Sequence, residues 1–129
     1  MNKKPGTLYY LASPYTHKNP VIKKQRADVA TKAAVDLLKN GIFCFAPIPY
    51  NAPWENYNLP GDWGFWEKFD KTFISRCDAV LVLTIDGWKE SIGVQAEIEY
   101  AKENDIPVLF ITPEEIESGN VLNLERSDV

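Results

Sequence analysis

Apolar positions along this chain switch between two spacings, and the switches divide it into short strands and longer helices. Residues 7–12 (TLYYLA) form a short apolar, aromatic run stopped by Ser13-Pro14, which predicts a buried strand. Over 21–40 the spacing becomes helical: Ala30, Ala33, Ala34, Leu37 and Leu38 fall on one face, and Asn40-Gly41 ends the helix. Residues 42–46 predict a second strand, 62–76 a second helix and 78–83 the clearest strand of the chain. A third helix over 93–104 and a strand over 106–111 follow. The tail after Pro113 predicts little regular structure.

The strands at 78–83 and 106–111 are continuously apolar, as strands covered on both faces are. Strand and helix alternate, so the expected architecture is one α/β domain, a three-layer sandwich of flavodoxin or Rossmann-like type. Its parallel sheet is joined by right-handed crossovers. The domain is expected to span 1–129, with a core over about 7–111 and a C-terminal tail over 112–129. Ligands of such sheets lie beyond the carboxyl ends of the strands. That points to the segments 13–19, 47–61 and 84–92.

Composition narrows the partners. The 129 residues are 45% hydrophobic and 25% charged with a formal net charge of -4, an ordinary globular balance. Lys3, Lys4, Lys18, Lys23, Lys24 and Arg26 are diluted by the acidic second half, so a nucleic acid polymer is not the expected partner. Cys44 and Cys77 sit in apolar stretches outside any CxxC pair and read as reduced, buried thiols of a cytoplasmic protein. With His17 as the one histidine, a Cys/His zinc site cannot be assembled. No signal peptide, membrane span or membrane partner is expected. Neither GxGxxG nor GxxxxGK[ST] occurs, which argues against a dinucleotide or P-loop enzyme.

The chemistry concentrates in a few positions. The segment 47–61 is long for a small domain and reads as a lid or binding loop. Its Tyr50, Trp54 and Tyr57, with Trp63 beyond it, offer flat surfaces on which a planar base stacks, or else a satellite core or an oligomer interface. Glu97 falls one turn inside the third helix, at the sheet end where a ligand should lie. Asp70 on the second helix is the other acid of interest, and Glu99 serves as an ordinary surface acid for comparison. Ser91 is placed to cap the third helix. Tyr9 and Tyr10 alternate across the first strand, so one of them faces the site.

Three blocks carry a resemblance: Tyr9-Tyr-Leu-Ala-Ser13, the run from Asp70 to Asp78 that leads into an apolar strand, and the helix start from Ser91 to Ala101 with Gly93 and Glu97. In order and spacing, over about residues 7–111, they resemble the nucleoside 2-deoxyribosyltransferase superfamily. That superfamily includes 2'-deoxynucleoside 5'-phosphate N-hydrolases, and the chain looks closest to a small phage and bacterial branch. The resemblance implies Glu97 as nucleophile on the anomeric carbon, Asp70 as the acid assisting the leaving base, and Tyr9 as the residue holding the nucleophile. It implies Ser13, Ser91 and Gly93 as substrate contacts, with both serines matching phosphate-binding positions of the hydrolases. Trp54 and Trp63 are the candidate base platforms. After Ser13 the hydrolases carry an Arg and glycines where this chain has Pro14-Tyr15-Thr16, so phosphate recognition stays open.

The activity implied is cleavage or exchange of the N-glycosidic bond of a nucleoside or its 5'-monophosphate. It needs no metal or redox cofactor and is carried out by a homodimer or larger homo-oligomer. A 5'-phosphate N-hydrolase, and a non-catalytic nucleotide-binding or protein-interaction module, are the alternatives.

Overall fold

The computed structural model describes residues 6–121. The elements follow as β1 (Leu8–Ala12), α1 (Pro20–Lys39), β2 (Phe43–Phe45), α2 (Pro47–Asn51), a 3-10 helix (Ala52–Tyr57), α3 (Trp63–Ile74), β3 (Ala79–Leu83), α4 (Ile92–Glu103), β4 (Val108–Ile111) and α5 (Pro113–Glu117). All strand pairs are parallel, in the order β2-β1-β3-β4. The expected single α/β domain with helices on both sheet faces is what the chain forms. Lys3 and Lys4, and tail residues 122–129, lie outside the described residues.

Alternation along the strands splits the core into two layers. Tyr9 and Leu11 of β1 and Leu81 and Leu83 of β3 pack against Ala30, Ala33 and Leu37 of α1 and Ile116 of α5. Tyr10, Ala12, Val80 and Val82 point to the other face, against Ile74 of α3 and Val94, Ile98 and Ala101 of α4. The central strand β3 is buried at every residue, as its continuous apolar run predicts.

Four expectations change. The strand at 106–111 is shorter and forms an edge, so Phe110 is 50% exposed rather than covered. Leu38, at the margin of the α1 stripe, is exposed because α1 buries only the narrower face through Ala30, Ala33 and Leu37. The segment 47–61 is largely helical. Pro47 and Pro53 stand in first turns, where an N–H is not needed, so prolines that suggest a loop start helices instead. Lastly, the tail begins as an ordered helix. Thr112 and Glu115 form a reciprocal capping box, and Ile116 and Val121 are buried.

Among the described residues, no helix is long and apolar enough to cross a membrane.

Candidate active site

A cavity of about 620 Å3 opens beyond the carboxyl ends of β1 and β3. Its walls draw on all three segments expected there: Ser13, Tyr15 and Thr16 after β1, Pro47, Ile48, Glu55 and Pro60 among others after β2, and residues 90–94 after β3. This is the position a parallel sheet provides, because the strands stop and the first turns of the following helices bracket the gap.

Two buried acids meet at its floor. The buried positions of α4 are Val94, Glu97, Ile98 and Ala101, so Glu97 occupies an inward site of an otherwise apolar stripe and is 4% exposed. On α3 the buried residues are Asp70 and Ile74, one turn apart. Packing of α3 against α4 brings the carboxyls together on the inner face of β1. There the Tyr10 hydroxyl donates to Glu97 Oε2 at 2.6 Å. Glu99, two positions on, is exposed, as the helical period requires.

Burial dominates the electrostatics. It lifts the Glu97 carboxyl well above the usual carboxylate range, and repulsion from Asp70 adds to the lift, while the bond from Tyr10 opposes it. Burial lifts Asp70 to about 6, against hydrogen bonding with Glu97 and Tyr10. Two close acids that both resist ionisation titrate as a pair, so near neutral pH they hold about one proton between them. Tyr10 is held protonated by burial and by the charges of Glu97 and Asp70, and so remains a donor. Hydrogen bonding from Tyr10 favours the charged form of either acid, so the pair shares its charge rather than fixing it on one of them. The arrangement therefore offers one carboxylate and one carboxylic acid, which is the requirement for nucleophilic attack with assisted departure.

The hydroxyl on Glu97 belongs to Tyr10, not to Tyr9. Tyr9 sits one position earlier on β1 and turns to the opposite face, in the layer of Leu11, Leu37 and Leu81. Both residues are apolar-strand tyrosines in the sequence, and only the observed pairing with α3 and α4 decides between them.

Ser13 lines the cavity as expected. It is 7% exposed, and its Oγ has no hydrogen-bond partner among the described residues; the same holds for one Asp70 carboxyl oxygen, Oδ1. Buried polar atoms of this kind need a partner, and a hydroxyl or base edge of a ligand would supply it. Ser91 caps α4 by accepting from the Val94 amide at 3.2 Å, and it also lines the cavity. Gly93 follows it in the wall, beneath the Trp63 ring.

Of the four aromatics singled out in the sequence, Trp63 alone lines the cavity, joined by Trp66. Trp54 does not. It packs edge-on against Tyr50 and Phe69 and lies 6.4 Å from Trp66, within an aromatic circuit that continues through Phe73 and Phe45. That circuit fastens α2 and the 3-10 helix to α3, which is why Trp54 is a structural anchor and not a base platform. Tyr57 is 77% exposed. The Trp66 indole N–H donates to the Pro60 carbonyl at 2.8 Å and holds the wall segment in place.

A polar cluster that no motif in the sequence announces lines the other wall. The Tyr15 hydroxyl donates to Glu55 Oε2 at 2.5 Å, and Lys23 pairs with the other oxygen of the same carboxylate. All three line the cavity.

Other nucleophiles fit less well. Burial pushes both cysteine thiols up to about 11, away from the reactive thiolate. No group of three or more His, Cys, Asp or Glu side chains among the described residues is placed to hold a metal ion.

Residues 7–112 match a family described as "Domain of unknown function (DUF1937)". No curated protein matches the chain.

Proposed function

The chain belongs to that domain family, and we propose that this member cleaves or exchanges the N-glycosidic bond of a nucleoside or its 5'-monophosphate, with Glu97 as nucleophile. One observation carries the reading: a buried glutamate, held by Tyr10 and set beside a second buried acid, at the floor of a cavity walled by Trp63 and Trp66. The resemblance of the three sequence blocks supports the same roles, with Tyr10 in place of Tyr9.

In the first step the Glu97 carboxylate attacks the anomeric carbon as the bond to the base breaks. The bond's electron pair leaves on the base nitrogen, which takes the proton of Asp70. An ester between Glu97 and the sugar results. Water, or a second base, then attacks the same carbon from the opposite side and gives its proton to Asp70. Glu97 is released, with net retention at the sugar. Access of water to the ester decides between hydrolysis and exchange. The reading invokes no metal or redox cofactor. It includes a homo-oligomer, favoured by Ile92, an apolar side chain 74% exposed at the cavity wall.

The test is incubation with nucleosides and 5'-monophosphates, with and without a second free base, followed by chromatography. Base release or exchange that disappears in Glu97→Gln supports the reading. Absence of turnover across the panel, or turnover that survives in Glu97→Gln, overturns it.

A further inference from the structure

The charge lining the cavity is one-sided. Among the described residues, the wall carries five carboxyl side chains, Glu55, Asp62, Asp70, Glu90 and Glu97, against one cation, Lys23. Even with one proton shared by the buried pair, the wall is strongly negative. One helix end at this wall already carries its own carboxylate. The N-terminus of α3 is capped by Asp62, whose side chain accepts from the Phe65 amide at 3.2 Å. Glu90 stands directly before Ser91, the cap of α4, and adds a further carboxylate to the same wall.

Lys23 is the one cation among the described wall residues, and it is engaged. Its ammonium pairs with Glu55, its side chain is only 28% exposed, and it lies over the Tyr15 ring at 4.9 Å. Tyr15 donates to the same carboxylate, so two donors fix Glu55 in its ionised form against Lys23. The sugar-side contact that remains free, the buried Ser13 hydroxyl, is neutral.

Resting on the N-glycosidase reading, we propose that Glu55 makes the cavity a charge filter. By holding Lys23 it removes the cation with which a 5'-phosphate would pair, so uncharged nucleosides are accepted in preference to their 5'-monophosphates. A dianionic phosphate entering this wall meets net repulsion, whereas sugar hydroxyls and base amino groups meet acceptors.

The experiment measures binding by stopped-flow quenching of tryptophan fluorescence, read before turnover, since Trp63 and Trp66 line the cavity. The probes are the four common 2'-deoxynucleosides and their 5'-monophosphates, at low and high salt. The proteins are wild type, Glu55→Gln and the double variant Glu55→Gln/Lys23→Gln. The wild type is expected to bind each nucleoside more tightly than its monophosphate. Glu55→Gln should raise the monophosphate-to-nucleoside affinity ratio at least about fivefold, the size of one charge contact at water's dielectric constant. The gain should shrink in high salt and vanish in the double variant. A merely structural Glu55 would change both ligands alike and leave the ratio fixed. Tighter binding of monophosphates by the wild type, or a ratio unmoved by Glu55→Gln, overturns the filter while leaving the N-glycosidase reading standing. Failure of both ligand classes to bind overturns both.

Discussion

Tyr10 and Glu97, 87 positions apart in the sequence, are joined by a 2.6 Å hydrogen bond inside the protein. The bond links the inner strand β1 to α4 and supplies a donor to a buried carboxyl that stands beside Asp70. It also opposes the lift that burial gives the carboxyl of Glu97, the residue proposed to attack the sugar.

Tyr10→Phe removes the hydroxyl and keeps the ring in its place. A hydrogen bond to a charged group contributes about 1.5–3 kcal/mol, so the rate of base release is expected to drop roughly 10- to 150-fold. Glu99→Ala, at an exposed position of the same helix, should leave the rate within about twofold. Steady-state kinetics on the three proteins reads both outcomes.

The pH dependence of stability follows from Asp70. Its pKa rises from 3.8 to about 6 on folding, so the folded state binds the proton more tightly. The corresponding stabilisation is complete below the unfolded value and is lost as pH climbs through the folded one. Asp70→Asn keeps a neutral side chain at every pH. The Tm of wild type minus that of Asp70→Asn is therefore expected to decrease between pH 4 and pH 7. A difference that grows with pH contradicts the burial account.

The two tryptophans should separate by readout. Trp63→Ala removes a cavity wall and is expected to raise KM about 5- to 150-fold, from stacking worth roughly 1–3 kcal/mol. Trp54→Ala opens the aromatic circuit and should lower stability by about 2 kcal/mol. Kinetics and thermal melts on both variants distinguish platform from anchor.

Ser91 is expected to act first through its cap. Ser91→Ala leaves the Val94 amide without its acceptor and should cost about 1 kcal/mol, while Ser91→Asp retains the cap and the stability. Denaturant unfolding of the two variants is the check.

Much of this architecture is written in local pattern. The run 78–83 announces β3 because a strand covered on both faces cannot tolerate polar residues, and Ala30, Ala33 and Leu37 announce the buried face of α1. Glu97 is visible too: it interrupts the inward series Val94, Ile98, Ala101, which a solvated acid would not do. What local pattern does not carry is the choice between neighbours. Tyr9 and Tyr10 are equally apolar, and their roles separate only when the sheet faces are assigned to α1 or to α3 and α4. The prolines at 47 and 53 serve turns and helix starts alike, so the helices after β2 emerge from packing among Phe45, Trp54 and Phe69. Thr112-x-x-Glu115 is different, because its capping signal is in the sequence and is overshadowed by the polar composition of the tail. The Glu55–Lys23–Tyr15 cluster joins three segments and has no one-dimensional signature.

The central claim is that Glu97 bonds to the sugar, and covalent trapping tests it most directly. Nucleosides bearing a 2'-fluorine slow the second step, because the electronegative substituent disfavours the cationic state through which the ester breaks down. The protein is incubated with such an analogue, and its intact mass and peptides are measured. The account predicts a mass increase of one fluorosugar, located on the peptide containing Glu97 and absent from Glu97→Gln. Base release with the adduct on another residue, or with none at all while Glu97→Gln retains activity, contradicts it.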